Sequence, residues 1–255
     1  TATYNSGTGV LSLSGSASLL TYQTLLRTVA YSSTSDDPTA TSTTRAITWS
    51  VTDANSDGAG AATRTASTTL TITAAADAPV LASVAANAAY TENAADPTVL
   101  SSGLTLTDVD DTNIASGSVT IGNFTAGDTL TWTNQTGITA TYNSGTGVLS
   151  LSGSASLATY QALLRTVAYS STSDDPTVNA TKTSRTITWS VTDANSDNAD
   201  EATVTASTKL TITPVNDAPV LGSVAPSAAY TENAASPTVL SSVLTLTDVD
   251  DTNIA

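Results

Sequence analysis

The stretch TATYNSGTGVLSLSGSASLATYQALLRTVAY, residues 139–169, carries two different periodicities. Val148-Leu-Ser-Leu-Ser alternates apolar with polar side chains, the period of a strand with one face buried. Asn143-Ser-Gly-Thr-Gly before it and Ser152-Gly-Ser after it are rich in turn-forming residues. From Ser156 the period changes. Leu157, Tyr160, Leu164 and Val167 fall at i, i+3, i+7 and i+10, which lines one face of a helix. Ser156 offers an N-cap hydroxyl. The stretch therefore predicts a strand followed by a helix of about two to three turns that plugs one side or end of a sheet.

Working outward, more strands appear. Gly117-Ser-Val-Thr-Ile-Gly, Asp128-Thr-Leu-Thr-Trp-Thr and Thr186-Ile-Thr-Trp-Ser-Val-Thr alternate in the same way. So do Ala202-Thr-Val-Thr and Lys209-Leu-Thr-Ile-Thr. Ala126-Gly-Asp reads as a turn, with Asp128 a turn residue. Tyr142, Tyr160, Trp132 and Trp189 read as core or rim packing. About seven or more short strands predict an all-β fold, an antiparallel sandwich of the immunoglobulin or cadherin-like kind, with one short helix per unit.

The same stretch occurs twice. Residues 1–39 match residues 139–177 except that Leu20 becomes Ala158 and Thr24 becomes Ala162. A two-residue insertion near Val178–Lys182 then changes the offset from 138 to 140. Tyr90-Thr-Glu-Asn recurs at Tyr230, and Leu104-Thr-Leu-Thr-Asp-Val-Asp-Asp recurs at Leu244. Asp77-Ala-Pro-Val-Leu and Asn216-Asp-Ala-Pro-Val-Leu read as linkers, since proline favours an extended junction. Residues 1–76 then match the C-terminal part of a repeat, 77–216 form a complete repeat, and 217–255 match the N-terminal part of the next. No second copy of Ser116–Ile138 is present. The expectation is a tandem array of which these residues are an excerpt.

Composition bounds the chemistry. Of 255 residues, 40% are hydrophobic and 5% aromatic, so the cores must be built from Val, Leu, Ile and Ala. There are 22 acidic and 7 basic residues, a net charge of −15. That balance argues against nucleic acid and against an anionic membrane surface, and favours a cation partner. Cys, His and Met are absent, which excludes thiolate nucleophiles, histidine bases and thiolate zinc sites. No apolar run is long enough to span a membrane.

The carboxylates cluster at turns and linkers. Asp108-Val-Asp110-Asp111 and Asp248-Val-Asp250-Asp251 follow one strand. Asp53-Ala-Asn55-Ser-Asp57 and Asp193-Ala-Asn195-Ser-Asp197 follow another. Asp77, Asn216 and Asp217 lie at the linkers, with Glu92 and Glu232 shortly after them. Closely spaced Asp and Asn oxygens suit Ca²⁺, which takes six to eight oxygen ligands in flexible geometry. The alternative for any one motif is that Asp and Asn simply favour turns. An EF-hand is excluded at Asp193, because the glycine and the closing glutamate of that loop are missing. Asp36-Asp37-Pro and Asp174-Asp175-Pro stay open between ligand and turn.

The linker Asn216-Asp-Ala-Pro, the Tyr90-Thr-Glu-Asn segment, the Asp-Val-Asp-Asp motif and the closing Thr-Leu-Thr-Ile-Thr strand resemble bacterial cadherin-like or VCBS-type repeats. Such repeats occur in giant RTX-type adhesins exported by type I secretion. The resemblance covers the whole chain. It implies calcium-dependent sandwiches in a row with ions at the junctions. It places Glu92, Asn216, Asp217, Asp248 and Asp250 around the second junction, and Asp77, Asp108 and Asp110 at the first, where Ala76 replaces the linker asparagine.

The function expected is a calcium-stiffened structural extender of a long bacterial cell-surface or secreted adhesin or filament, outside the cell. Its partners would be neighbouring repeats, with other copies in a filament or matrix. The alternative class is a calcium-dependent module that binds carbohydrate or another surface. An enzyme is the remaining class; no cleft-forming insertion supports it.

Overall fold

The computed structural model describes residues 1–255 except Asp197 and Ala255. The chain falls into two compact units, Thr1–Ala74 and Ala75–Ala255.

In the first unit, β1 (Ala2–Asn5) and β2 (Val10–Leu13) form one hairpin, and β3 (Thr44–Thr52) and β4 (Thr63–Thr71) form another. Between them lies α1 (Leu19–Leu26), capped by Ser18 and burying none of its residues. The two hairpins belong to separate two-stranded sheets.

The second unit opens with β5 (Val80–Ala82), β6 (Asn87–Thr91), β7 (Thr98–Val99), β8 (Thr105–Thr107), β9 (Asn113–Gly122) and β10 (Asp128–Thr131). It continues with β11 (Thr139–Asn143), β12 (Val148–Ser156), α2 (Leu157–Leu164), β13 (Ala168–Ser171), β14 (Ser184–Asp193) and β15 (Thr203–Thr213), then β16 (Val220–Gly222) and β17 (Thr245–Thr247). A six-stranded sheet has the order β11-β12-β9-β14-β15-β6, and a three-stranded sheet the order β10-β13-β7. β5 pairs with β8, and β16 with β17.

The two larger sheets enclose one core. β9 contributes Val119 and Ile121, β12 Leu149 and Leu151, β14 Ile187, Trp189 and Val191, and β15 Leu210 and Ile212. Leu130 and Tyr169 come from the facing sheet, and Tyr160, Leu163 and Leu164 from α2. Tyr90 on β6 meets Tyr169 on β13 edge to face, with ring centroids 5.1 Å apart, and ties one sheet to the other. The fold built by β6 to β15 is thus an all-β sandwich with one short helix. Every fully buried residue among those described lies within residues 77–216.

Strand phase explains the packing. Along β14 the odd-numbered residues from Arg185 to Asp193 point inward, so alternation places a charge at each end of an otherwise apolar row. Helix α2 starts where Ser156 accepts a hydrogen bond from Thr159 N–H at 3.2 Å. It is docked from below by Gln161, whose Oε1 accepts from Leu106 N–H at 2.9 Å, and by Arg165, whose Nε donates to Leu104 O at 2.5 Å.

Three details differ from the sequence reading. The strands expected at Ala202–Thr205 and Lys209–Thr213 are one continuous strand, Thr203–Thr213, because Val204, Ala206, Thr208, Leu210 and Ile212 keep one phase throughout. The sandwich is not purely antiparallel: β6 joins the sheet edge parallel to β15, with Thr91 opposite Thr213. Asp128 closes the expected turn, its N–H donating to Thr125 O at 3.0 Å and its Oδ2 accepting from Thr125 N–H at 2.9 Å, but it is more than a turn residue: it is 2% exposed and salt-bridged to the fully buried Arg185, Nε to Oδ2 at 2.6 Å. Tyr169 donates to the other Asp128 oxygen at 2.5 Å. A buried charge survives only when paired and hydrogen-bonded, and both conditions are met here.

Candidate metal centres

β15 runs for eleven residues, and carboxylates gather at each of its ends. By strand rise the two groups lie roughly 35 Å apart, beyond electrostatic reach in salt.

The first group is built by the turn after β8 and by the end of β14. Asp108, Asp111 and Asp193 bring carboxylate oxygens within 4.8 Å of one another. Asp108 Oδ1 accepts from the backbone N–H of Asp110 at 3.2 Å and of Asp111 at 3.1 Å, a tight turn that aims successive side chains inward. The Asp111 carboxylate accepts short hydrogen bonds from the N–H and the hydroxyl of Ser196. Asp193, fully buried, accepts from Ala202 N–H at 3.0 and 2.9 Å. Asp110 Oδ2 accepts from Asp77 N–H at 2.9 Å, which fastens the linker backbone to the turn.

The second group forms where β15 leaves the sandwich. β6 runs parallel to β15, so the residue after β6 reaches the same end as the linker. That residue is Glu92, 3% exposed, whose Oε2 accepts from Val215 N–H at 2.8 Å. Asp250 Oδ2 accepts from Asp217 N–H at 3.1 Å, the same contact that Asp110 makes with Asp77. Asp248, Asp250 and Asp251 also lie within 4.8 Å of one another. A cleft of about 440 Å³ borders this group, lined by Thr177, by Asn179 and Ala180 of the inserted loop, and by Asn216, Asp250 and Asp251.

The electrostatics are those of sites short of positive charge. Burial, then the Asp110 side chain, pushes the Asp108 carboxyl up to about 6. Burial raises Glu92, opposed by the Val215 N–H and reinforced by Asp217, Asp175 and Asp250. Burial also raises Asp193, opposed by the Ala202 N–H and reinforced by Asp111 and Asp110. The decisive observation is a set of orphans. Seven buried side-chain oxygens among the described residues have no hydrogen-bond partner, and six of them are carboxylate oxygens. They divide three and three: Asp108, Asp110 and Asp111 in the first group, Glu92, Asp217 and Asp250 in the second. A buried unpaired carboxylate oxygen is costly unless a cation meets it. Hard oxygen donors without nitrogen or sulfur fit calcium.

Other candidates from the sequence are not gathered. Asp77 is exposed and joins its group through the backbone. Asn216 is exposed and donates from Nδ2 to the Asp217 carbonyl at 2.7 Å. Asn195 Oδ1 accepts from Asp200 N–H at 3.2 Å, a loop role. Asp197 lies outside the described residues. In the first unit Asp53 and Asn55 hold their own loop, accepting from Ala62 N–H at 3.2 Å and from Gly60 N–H at 2.6 Å. Asp57 accepts from Ala59 N–H at 3.1 Å. Glu232 is exposed. Asp175 is a turn former: its oxygens accept from Thr177 N–H at 3.1 Å and from Asn179 N–H at 2.7 Å. What motif reading missed is that Asp193 belongs with Asp108 and Asp111; its inward phase on β14 was the available signal.

No known family pattern and no curated protein matches the chain. Solved structures of cadherin extracellular domains do. Protocadherin Gamma C5 EC1-3 is 15% identical over 82% of this chain and 56% of its own, with a TM-score of 0.33. The Protocadherin GammaB4 extracellular domain is 19% identical over 72% and 24%, with a TM-score of 0.30. Protocadherin Gamma B2 extracellular cadherin domains 1-5 are 14% identical over 68% and 27%, with a TM-score of 0.31. The chain spans from about a quarter to just over half the length of these structures. Scores this low place it beside none of them in particular, and the sandwich stands on its own strand order and core. No helix among the described residues is long and apolar enough to cross a membrane.

Proposed function

We propose that the chain is a structural extender, a segment of a long extracellular adhesin or filament of bacterial type, in which calcium stiffens the junctions between sandwich units of about the span 77–216. The observation that carries this reading is the division of six unpartnered, buried carboxylate oxygens between the two ends of one long strand. Glu92, Asp217 and Asp250 would hold an ion at the second linker. Asp108, Asp110, Asp111 and Asp193 would hold one at the first. A bound divalent ion supplies positive charge to carboxylates that otherwise repel.

The chain's own residues do the rest. Asp110 and Asp250 clamp the linker N–H groups of Asp77 and Asp217, so each linker is already tied to the turn that would carry the ion. The Glu92–Val215 hydrogen bond fixes the exit of β15 from the sandwich. With the linker backbone and the ion ligands on the same short turns, occupancy restrains the linker directly. The reading is non-enzymatic. A carbohydrate-binding role draws less support, because every aromatic side chain of residues 77–216 is buried or half-buried and none forms an exposed platform.

Calorimetric titration with Ca²⁺, alongside thermal scans in calcium, magnesium and chelator, tests this. The expected result is saturable uptake and a melting temperature raised by calcium beyond an ionic-strength control. Equal melting temperatures with and without calcium would remove the proposal.

A further inference from the structure

We propose that the open face of residues 1–74 is a docking site for a further copy of the segment that runs from Asn113 to Ile138, which carries β9 of one sheet and β10 of the other in the complete sandwich. The site does not depend on calcium.

The duplicated sequence identifies the occupant. In the complete sandwich β9 lies between β12 and β14 and hydrogen-bonds to both. Their duplicates, β2 and β3, have no strand between them and remain in separate two-stranded sheets. The apolar side chains that β9 and its neighbours cover are correspondingly uncovered. Leu11, Leu25, Val29, Tyr31 and Val51 are 39%, 41%, 37%, 48% and 46% exposed, whereas Leu149, Leu163, Val167, Tyr169 and Val191 are all 0% exposed.

A second, independent feature is electrostatic. Arg185 donates to the carbonyls of Lys182, Ser184 and Pro176 and to both oxygens of Asp128. Arg45 makes the same carbonyl contacts, to Ser42 at 2.7 Å, Thr44 at 3.0 Å and Pro38 at 2.6 Å. The carboxylate is the one partner it lacks: the salt bridge of the described residues is Arg185–Asp128. The guanidinium is therefore held in place for an acidic group that residue 128 supplies elsewhere.

A third feature is shape. A Cβ on Gly147 would meet Phe124 at 2.5 Å and Ile121 at 3.2 Å. On Gly9, its duplicate, it would meet nothing within 4 Å. The vacant space is the space that Phe124 and Ile121 fill.

The receiving surface is already shaped. Trp49 donates to Thr68 at 2.9 Å as Trp189 does to Thr208 at 3.0 Å, and Tyr22 donates to Gly15 O at 2.6 Å as Tyr160 does to Gly153 O at 2.8 Å. The copy of 113–138 already present cannot serve, because Val119 and Ile121 are locked in its own core. The occupant is thus a further copy of that segment, recognised by strand insertion between two hairpins and by a carboxylate for Arg45.

The test titrates a synthetic peptide of residues 113–138 into the full chain by calorimetry and locates it by hydrogen exchange. We expect uptake of one peptide per chain, with new protection at residues 10–13 and 47–51. A peptide carrying Asp128→Asn is expected to bind at least about tenfold more weakly, since it loses a charge-assisted pair. The variant lies in the peptide, so folding of the chain is unaffected. Absence of uptake, protection at residues 148–151 or 187–191 instead, or equal affinity for the Asp128→Asn peptide would each overturn the proposal.

Discussion

Residues 1–74 and residues 139–214 are two copies of nearly one sequence, and their turns, helix caps and long hairpins coincide, although the duplicate of β13 forms no strand. Ser18 and Ser156 cap the same helix, both at 3.2 Å. Asp37 and Asp175 fold the same turn onto Thr39 and Thr177. Gly15 and Gly153 share a φ of 113°, in a conformation that favours glycine. Yet one copy buries a full core and the other buries nothing completely. Hairpins, caps and the helix follow from residues close in sequence. Burial follows from strands that arrive from elsewhere. The contrast separates what a sequence does alone from what it does in company.

The largest expected effect is in backbone protection. A lone two-stranded hairpin is marginally stable in water, while a packed domain is worth several kcal/mol. Amides of Ile187–Val191 are therefore expected to exchange about 10⁴-fold or more slower than unfolded chain, and those of Ile47–Val51 within about tenfold of it. Hydrogen exchange with mass-spectrometric readout decides this within one sample. Comparable protection of the two strands would break the comparison.

Next is the buried ion pair. Asp128→Ala strands the Arg185 guanidinium in a site with no water access, at a cost of about 3–5 kcal/mol to the complete sandwich. Arg45→Met removes the duplicate guanidinium, which has no carboxylate to lose, and is expected to change stability within about 0.5 kcal/mol. Chemical denaturation followed through Trp189 and Trp49 substitutions would separate the two. A large loss from Arg45→Met would mean that the first unit already holds an acidic partner.

How much of this was legible follows the same division. The helix from Ser156, the alternating strands and the Asp-Val-Asp-Asp turns stand in contiguous residues and could be read directly. The ion pair could not, since Asp128 and Arg185 are 57 residues apart. It left a trace all the same: an arginine in phase with Ile187, Trp189 and Val191 must point into the core and needs a buried partner. Asp193 shares that phase, which is why it joins Asp108 and Asp111 rather than forming a loop site with Asn195. The parallel entry of β6 had no local signature. It decides the second centre, because only parallel pairing carries Glu92 to the end where Asp217 departs.

The metal prediction is of similar size to the ion pair in the complete sandwich and near zero in the first unit. Calcium at 100 to 1,000 times Kd is expected to stabilise residues 77–216 by about 3–4 kcal/mol. Asp111→Asn with Asp193→Asn should abolish the first-centre part of that gain. Asp53→Asn, at the duplicate of Asp193, should leave it untouched, because among the described residues Asp53 is gathered into no carboxylate cluster. Calcium-dependent melting that Asp53→Asn impairs as much as Asp193→Asn would show that motif, not assembly, makes the site.

The smallest expected difference isolates solvent. Tyr160 donates to Gly153 O at 2.8 Å, and Tyr22 donates to Gly15 O at 2.6 Å. The bonds are alike in partner and geometry. Tyr160 is 0% exposed, while Tyr22 is partly open to water. Removing the hydroxyl at Tyr160 deletes a part-buried bond and leaves a gap beside a side chain closed to water, so Tyr160→Phe is expected to cost about 1 kcal/mol. Removing it at Tyr22 lets water take the vacated acceptor, and Tyr22→Phe is expected to cost only a few tenths of a kcal/mol. The measurement is the difference between the two variants in denaturant midpoint at constant m-value, read on the transition of the unit each belongs to. Docking of the 113–138 peptide should then enlarge the Tyr22→Phe penalty toward that of Tyr160→Phe, because the occupant would close the face against water. A penalty at Tyr22 that peptide saturation leaves unchanged would mean that the first unit never acquires the interior its duplicate has.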